Sequence, residues 1–416
     1  MISARGGRRR WASVLVVVLL TLGLGTGQGG QASALSTGAL FNNPLSSVRS
    51  EQTAIRDHIV DLIEAADPGS TIRMSVYHLW SGTVAQALAD AHTDPMRAVD
   101  VQVVLDETSR SSSYADGSYG VLADALGTDT AQGSFVTLCP TGRSCLGDPA
   151  DSGINHNKFA LFSSVADGSM REVVVQTSSN LTPSSYDKLW NSAITVAGNF
   201  TLYTAYANYF DKQVAKDYAN WSYSSTSAGA HKVYFFPRAG TGTSTDTIVG
   251  VLDNVQCTWS DSTGSHRTAI RVGMFTLTRT GVANKLVSLR QAGCTVDIVY
   301  GTAGPSAWDI LDADSGIQKR CYDHDDDGDE GAASSPTPRM TIHSKYLLVD
   351  GWYAGERDKV LWTGSANYTT PGLRYNDETI MKIDDDAVYA AYLSNFNAVR
   401  GAAVPGTADN VAECKS

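Results

Sequence analysis

The chain has 416 residues and a formal net charge of −11. So acidic a chain repels a phosphate backbone on average, which disfavours tight nonspecific binding of DNA or RNA, although a locally basic cleft remains compatible with it. The length exceeds what one typical hydrophobic core organises, so the sequence predicts two domains.

The first 34 residues are predicted to be a secretion signal peptide. Four arginines between Arg5 and Arg10 form a basic start, Val14–Leu24 is apolar, and Ala32-Ser33-Ala34 offers small residues for cleavage. The apolar run is too short to span a bilayer. We therefore expect a secreted, extracellular and soluble mature protein with a charge of −15, and the choice between the general and the twin-arginine export route stays open.

Six cysteines in an exported chain favour disulfides over metal binding. Cys139 and Cys145 bracket the turn-like string Pro-Thr-Gly-Arg-Ser, so we expect them to pair. Three pairings stay open for the other four, which are Cys257, Cys294, Cys321 and Cys414.

In chain order, the predicted elements occur twice. A buried strand, a helix and a second strand are predicted at Ile72–Leu79, Thr83–His92 and Val99–Leu105, and again at Ile270–Leu277, Gly281–Gln291 and Thr295–Tyr300. Each series ends in an amphipathic helix with equally spaced aromatic residues, which begin at Tyr203 and Tyr389. This alternation predicts an α/β fold with mixed sheets.

The duplication predicts two homologous domains related by a pseudo-twofold axis, with one active site at their interface. The first repeat is placed at residues 35–221 and the second at 244–416. A linker at 222–243 joins them, because Ser222–Gly229 is rich in Ser, Gly and Ala.

Two short motifs recur with identical spacing. His156-Asn157-Lys158 precedes Ser178-Ser179-Asn180, and His343-Ser344-Lys345 precedes Ser365-Ala366-Asn367. The interval from Lys to Asn is 22 residues in both copies. One His-x-Lys string arises easily by chance, but two copies with an Asn at equal distance indicate a shared chemistry, which we interpret as cleavage of a phosphodiester.

On these motifs the chain resembles the phospholipase D superfamily, whose signature His-x-Lys-x4-Asp occurs twice. The second copy is complete through Asp350, and it is followed by Gly364-Ser365-Ala366-Asn367 and by Asn376-Asp377-Glu378. The first copy has Ser163 in place of the Asp. It aligns Asn191-Ser192-Ala193 with the last string, so that it lacks the acid.

The resemblance implies a set of site residues and their roles. Two lysines and two asparagines converging on one phosphate would supply charge and hydrogen bonds, while one imidazole attacks phosphorus and the other acts as general acid. In the family an acid crosses from the opposite half to hold the nucleophilic imidazole. Only Glu378 is available, so it should orient His156, which makes His156 the nucleophile and His343 the acid. The implied catalytic residues are His156, Lys158, His343, Lys345 and Glu378, and the implied phosphate-binding residues are Asn180, Asn367, Ser178 and Ser365.

An acidic segment precedes the second motif. Asp323, Asp325 and Asp327, followed by Gly328, match the opening of a calcium-binding loop. The twelfth loop position is Ser334 instead of the usual Glu. Two interpretations stay open, a solvated acidic loop and a structural calcium site. The phosphoryl chemistry itself is expected to require no metal.

These observations favour a secreted phosphodiesterase of phospholipase D type. We expect a monomer that acts on phospholipids or glycerophosphodiesters, with transient contact to a membrane surface, and that either hydrolyses the bond or transfers the phosphatidyl group to an alcohol. One alternative is a secreted nuclease of the same superfamily, which two motifs in one chain and the lack of a basic run disfavour. Another is a catalytically inactive binding module, against which the intact His and Lys pairs argue.

Overall fold

The structure, a computed structural model, describes residues 37–112, 115–324 and 340–407. The predicted signal peptide lies outside the described residues. So do Asp325, Asp327 and Cys414, so the alternatives for the acidic segment stay as the sequence left them.

The first half of the chain builds a seven-stranded mixed sheet around one parallel core. Strands are numbered along the chain, and the spatial order is β1-β8-β6-β5-β2-β3-β4. The three strands β2, β3 and β4 run parallel, whereas the remaining neighbours are antiparallel. The bounds are β1 Gly38–Phe41, β2 Thr71–Val76, β3 Asp100–Leu105, β4 Phe135–Leu138, β5 Lys158–Val165, β6 Met170–Thr177 and β8 Ser192–Val196.

The second half builds a larger sheet in the order β22-β16-β15-β14-β19-β20-β21-β10-β9, and β11 pairs with β19. Read backwards from β10 to β16, this order repeats that of the first sheet. Again three neighbours are parallel (β14, β15 and β16) and the rest antiparallel. The bounds are β9 Ser224–Ala228, β10 His231–Phe235, β11 Val255–Gln256, β14 Ala269–Leu277, β15 Thr295–Ala303, β16 Gln318–Cys321, β19 Lys345–Tyr353, β20 Glu356–Gly364, β21 Thr379–Ile383 and β22 Val404–Pro405.

The remaining strands form two small sheets. β7 (Leu189–Trp190), β17 (Asp323–His324) and β18 (Met340–Ile342) form a three-stranded sheet in which β7 from the first half pairs in parallel with β18 from the second. β12 (Thr258–Asp261) and β13 (Gly264–Arg267) form a separate hairpin. The β7–β18 pair therefore connects the two halves through backbone hydrogen bonds.

Helices cover both sheets. Because both faces of the sheets are covered, strands such as β5 and β19 read as near-continuous apolar runs rather than as alternating patterns. The helix bounds are α1 Arg49–Gln52, α2 Ala54–Glu64, α3 Gly82–Thr93, α4 Thr108–Ser111, α5 Ser118–Leu126, α6 Pro183–Asp187, α7 Phe200–Ala215, α8 Thr247–Leu252, α9 Thr280–Gln291, α10 Pro305–Asp312 and α11 Asp386–Ala402.

Three hydrophobic clusters organise these layers. One lies on the outer face of the first sheet beneath α2, α3 and α5, and another on the outer face of the second sheet beneath α8, α9 and α10. The third lies between the sheets and contains the inner side chains of α7 and α11, including the fully buried Tyr206, Phe210, Tyr392 and Phe396. These aromatic residues, whose spacing repeats in the sequence, form the core that the two halves share.

The mixed α/β fold and its duplication, predicted from the sequence, are confirmed. The range predicted as a linker, 222–243, contains two strands. Within that range β9 and β10 form a hairpin, and β10 pairs with β21 as β1 pairs with β8. β10 is thus the counterpart of β1 in the second half. The Ser-rich sequence of β9 resembles a linker because it forms the exposed edge of the sheet.

Asp377 fastens a loop of the first half to the second. Its carboxylate, fully buried, accepts hydrogen bonds from the backbone N–H groups of Cys145 (2.9 Å) and Leu146 (3.1 Å) and from Nε2 of Gln213 (3.1 Å). A disulfide joins Cys145 to Cys139 and closes this loop, and a second disulfide joins Cys257 to Cys294. The disulfide therefore joins the two ends of the loop, and the Asp377 carboxylate holds its Cys145 end against the second half.

Within the three described ranges, the helices lack the combination of length and apolar character that crossing a bilayer requires.

Asp377→Asn should lower the free energy of unfolding by about 1–3 kcal/mol. The carboxylate accepts three N–H groups, and the amide would replace one of its two oxygens with a donor, so at least one buried donor would lose its partner. Urea unfolding followed by fluorescence measures the change, with Asp124→Asn at an exposed position of α5 as the matched control. Equal stability of the two variants would show that Asp377 does not anchor the loop.

Candidate active site

His156 lies directly before β5 and is held by the opposite half. Its backbone N–H donates to the carbonyl of Asp377 (3.0 Å), and Nδ1 of its ring lies 2.8 Å and 3.0 Å from the two carboxylate oxygens of Glu378. The predicted contact between Glu378 and His156 is thus present. With Nδ1–H donated to the carboxylate, Nε2 presents a lone pair.

His343 lies directly before β19 and mirrors this arrangement. Its backbone N–H donates to the carbonyl of Trp190 (2.9 Å), and Nδ1 lies 3.0 Å from Oδ1 of Asn191. The amide of Asn191 is oriented by its other atom, because Nδ2 donates to the carbonyl of Ser185 (3.0 Å). Oδ1 therefore accepts a hydrogen bond from Nδ1–H, and Nε2 of His343 is again the remaining ring nitrogen.

Asn191 is the structural counterpart of Glu378, which corrects the sequence alignment that placed Ala193 there. Ser178 pairs with Ser192 through the same backbone hydrogen bond that joins Ser365 to Thr379. Asn191 precedes Ser192 as Glu378 precedes Thr379. The alignment was displaced by two residues because it followed the asparagines at the start of each string, whereas the register is set by the strands β8 and β21.

Each sheet brings one lysine to the cluster, since Lys158 is the first residue of β5 and Lys345 the first residue of β19. Lys158 Nζ donates to the carbonyl of His156 (2.7 Å), and Lys345 Nζ donates to the carbonyl of His343. Each ammonium also lies over an aromatic ring, Tyr77 for Lys158 (5.3 Å) and Phe275 for Lys345 (5.1 Å). Both lysines are at most 2% exposed, so their amino groups have almost no contact with water.

This burial determines the protonation of the site. Burial, followed by the charges of Lys158 and Lys345, lowers the pKa of His156 well below its usual value, and the pKa of His343 is lowered by the same causes. Burial also lowers the pKa of Lys158 to about 7 and raises the pKa of Glu378 to about 7. Four groups of the cluster can carry positive charge, namely the two imidazoles and the two amines, and they outnumber the Glu378 carboxylate that contacts His156.

The Ser-x-Asn residues border this cluster. Asn180 is half-buried, and its Oδ1 has no hydrogen-bond partner within the described part of the chain; Oδ1 of Asn367 accepts from the N–H of Thr276 (3.3 Å). Ser178 donates its hydroxyl to Asn191 (2.8 Å), and the hydroxyl of Ser365 accepts from the N–H of Thr379 (3.1 Å). Both hydroxyls have protein partners, and a phosphate-binding role for them stays a prediction.

The last residue of the motif lies elsewhere. Asp350 is five residues beyond Lys345 on the same strand, about 17 Å along it at the usual rise, and it forms an ion pair with Arg357. Its first-half counterpart, Ser163, accepts from the N–H of Thr71 (2.9 Å). The substitution of Asp by Ser therefore changes strand packing and leaves the histidine cluster intact.

A third histidine, which sequence reasoning missed, borders the site. His78 stacks between Tyr77 (3.6 Å between centroids) and Trp80 (4.1 Å), and its Nε2 lies 3.0 Å from the hydroxyl of Thr108. Thr108 in turn donates to Asp106 (2.5 Å). Burial lowers the pKa of His78 to about 3, so its ring is neutral. A single His without a repeat gave no signal in the sequence.

A metal is not indicated by the side chains that the structure describes. The one group of potential ligands in those ranges contains Cys139, Cys145 and Asp377. Its two cysteines are joined in a disulfide and its carboxylate accepts three hydrogen bonds. These residues are therefore structural.

Comparison with known proteins agrees with this geometry. Residues 59–214 and 263–400 match the family model described as "Cardiolipin synthase, PLD-like domain". The chain belongs to this family. The two matched segments each contain one histidine–lysine motif, so the resemblance to the phospholipase D superfamily is confirmed. Among curated proteins, no sequence matches the chain.

Two solved structures share the fold. A phosphatidylserine synthase from Haemophilus influenzae superposes with a TM-score of 0.56 at 14% identity, over 89% of this chain and 87% of the other. A polyphosphate kinase from Porphyromonas gingivalis gives a TM-score of 0.55 at 14% identity, over 88% of this chain. The chain spans half the length of that kinase. At this identity the likeness concerns the fold.

Asn191→Asp should raise the pKa of His343, because a carboxylate would replace the amide 3.0 Å from Nδ1 and would stabilise the imidazolium. Glu378→Gln should have the opposite effect on His156. Histidine titrations followed by NMR measure both changes, and each variant serves as control for the other ring. If neither pKa moves, the two rings are not held as described.

Proposed function

We propose that the protein is a secreted phosphodiesterase that cleaves the terminal phosphodiester bond of phospholipids through a phosphohistidine intermediate. The observation that carries the proposal is the buried cluster of His156, His343, Lys158 and Lys345, in which one carboxylate faces four nitrogen-based groups. Export rests on the sequence of residues 1–34, and the reaction as proposed uses no metal.

The charge of the cluster selects an anion. Burial, followed by the charge of Lys158, lowers the pKa of Lys345. Holding both lysines charged in the cluster therefore costs free energy, which a bound anion would offset. A phosphodiester carries one negative charge on two oxygens, and Lys158 and Lys345 approach from the two halves. The half-buried Asn180 and Asn367 add amide groups at the same edge.

In the first step, Nε2 of His156 attacks phosphorus. Glu378 accepts the hydrogen bond from Nδ1–H, stays ionised, and stabilises the positive charge that develops on the ring. The bond from phosphorus to the leaving oxygen breaks, and His343 in its protonated form donates the Nε2 proton to that oxygen. The negative charge of the substrate raises the pKa of His343 on binding, which supplies this proton.

In the second step, His343, now neutral, takes a proton from water as the water oxygen attacks phosphorus. The bond between phosphorus and Nε2 of His156 breaks, and a phosphomonoester leaves. An alcohol in place of water gives transfer to that alcohol. The same imidazole thus serves as acid and then as base, a role that typically accelerates each step about 10²–10⁴-fold.

The different partners of the two histidines support this division of roles. A nucleophile gains from a carboxylate, because charge develops on its ring during attack. An acid benefits from a neutral partner, because an amide orients the ring without stabilising the imidazolium as strongly. His156 has Glu378, and His343 has Asn191. A phospholipid substrate is supported by the family to which the chain belongs and by its fold, shared with a protein named as a phosphatidylserine synthase.

His156→Ala should reduce head-group release from phosphatidylcholine and phosphatidylethanolamine vesicles by at least about 10⁴-fold, because the nucleophile is lost. The assay contains ethanol, so that phosphatidylethanol reports transfer. His92→Ala, a histidine on α3 that lies outside the described cluster, is the control and should keep full activity. Activity on single-stranded DNA without activity on any phospholipid would replace the lipid proposal with a nuclease.

His343→Ala should accumulate phosphate on His156 when the substrate has a leaving group that needs no acid, such as p-nitrophenol. The first step then proceeds, while the second lacks its base. Acid-labile phosphopeptides detected by mass spectrometry locate the phosphate. Phosphate found in a peptide that lacks His156 would overturn the assignment of the nucleophile.

The pH dependence of kcat/KM should be a narrow bell centred near pH 7. As pH falls through about 7, Glu378 takes up a proton and no longer accepts from Nδ1, so activity declines. As pH rises through about 7, Lys158 loses its charge, and activity declines again. Lys158→Arg, which stays protonated, should extend activity to higher pH. An unchanged alkaline limb in this variant would show that Lys158 does not produce it.

A further inference from the structure

A second cationic pocket lies on the outer side of the second sheet. It is a cavity of about 580 Å³ between the sheet and helix α8, and it contains none of the residues placed in the histidine cluster. Its floor is formed by β10 and β21, and its rim by the end of β19. The residues that matter for its chemistry are Lys232, Lys382, Arg238, Tyr223, Tyr234 and Tyr353.

Two of its lysines face each other directly. Lys232 on β10 and Lys382 on β21 are Cα partners in an antiparallel pair, so their side chains project from the same face of the sheet. Like charges in this position destabilise a sheet. Each ammonium lies over a tyrosine ring, Lys232 over Tyr234 (5.2 Å) and Lys382 over Tyr353 (5.4 Å), which keeps the charges at the pocket floor.

The cations of the pocket exceed its anions. Arg238 stacks on Tyr223 (4.3 Å) and donates to the hydroxyl of Thr247 (3.3 Å), without an ion pair to the described acids. Lys232 likewise forms no ion pair within the described ranges, and Lys382 lies 3.5 Å from Asp384.

The acidic residue of the lining is Asp246. It is already neutralised, because Arg279 (2.8 Å) and Arg374 (2.7 Å) both bind its carboxylate in the protein interior. In a chain of net charge −11, a pocket with this surplus of positive charge is an exception that calls for a negative partner.

We propose that this pocket is a binding site for a phosphomonoester. A doubly charged phosphate would lie between the two ammonium groups, with Arg238 as a third donor and the tyrosine hydroxyls as neutral donors. Burial raises the pKa of Tyr234 to about 12, so its hydroxyl keeps its proton. The volume exceeds that of phosphate alone and leaves room for the group esterified to it.

The ligand has two potential sources, which share this chemistry. One is the head group of phosphatidic acid at a membrane surface, and the other is a soluble ester such as glycerol 3-phosphate. The inference is independent of the proposed function, since the pocket contains no residue of the histidine cluster.

The test measures binding of glycerol 3-phosphate by equilibrium dialysis. Because the histidine cluster can also hold phosphate, the measurement uses the Lys158→Gln/Lys345→Gln variant. One site should remain there. Adding Lys232→Gln and Lys382→Gln should weaken it about tenfold for each lysine and about a hundredfold for both. Lys359→Gln, which removes the same charge from β20 outside the pocket, should leave the affinity unchanged.

Absence of a remaining site, or equal affinity with and without the pocket lysines, would overturn the proposal. If the cluster variant does not fold, the wild-type protein should bind two equivalents and the Lys232→Gln/Lys382→Gln variant one. A stoichiometry of one for both proteins would equally overturn it. Hydrolysis of a soluble phosphodiester should be unchanged in Lys232→Gln/Lys382→Gln, so that a failure of this proposal is distinguishable from a failure of the proposed function.

A second arm identifies the source. Sedimentation with phosphatidylcholine vesicles containing phosphatidic acid, compared in His156→Ala with and without the pocket substitutions, reports binding to the lipid head group without turnover. Retention that the pocket lysines control would assign the site to the membrane lipid. Binding of glycerol 3-phosphate without such retention would assign it to a soluble ester.

Discussion

The exchange of histidine partners between the two halves is the constraint on which the structure depends. Each imidazole belongs to one half, and the group that orients it belongs to the other. The backbone follows the same rule, since the N–H of His156 donates to Asp377 and that of His343 donates to Trp190. Because rings and backbone are both tied across the interface, the two motifs can meet in one geometry only when the shared aromatic core between the sheets is packed.

The two halves exchange these partners symmetrically in the backbone, but the side chains that orient the two rings differ. A carboxylate faces one ring and an amide faces the other, so two chemically equal imidazoles become unequal. A similar difference occurs beside the serines. A Cβ at Gly364 would lie 2.1 Å from the carbonyl of Thr379, which excludes any side chain there. In the first half the strands leave room for Thr177, whose hydroxyl donates to the carbonyl of Ser192 (2.9 Å).

Much of this architecture was accessible from the sequence, because repetition carries information that a single motif does not. Two histidine–lysine strings at equal spacing indicated one shared site, and the contact between Glu378 and His156 followed from the resemblance. Sequence reasoning did not identify Asn191, because nothing in the sequence distinguishes it from any other asparagine. The register that identifies it comes from strand pairing between distant segments. For a related reason, the sequence did not indicate that β10 is a strand of the second sheet. Its partner strand lies about 150 residues away, and only the sheet shows that it completes the second half.

The difference between Glu378 and Asn191 also determines what each half contributes to the site. A symmetric pair of first halves would contain two amide–imidazole contacts and no carboxylate, while a pair of second halves would have two carboxylates. One carboxylate and one amide occur together only when both halves contribute to the site.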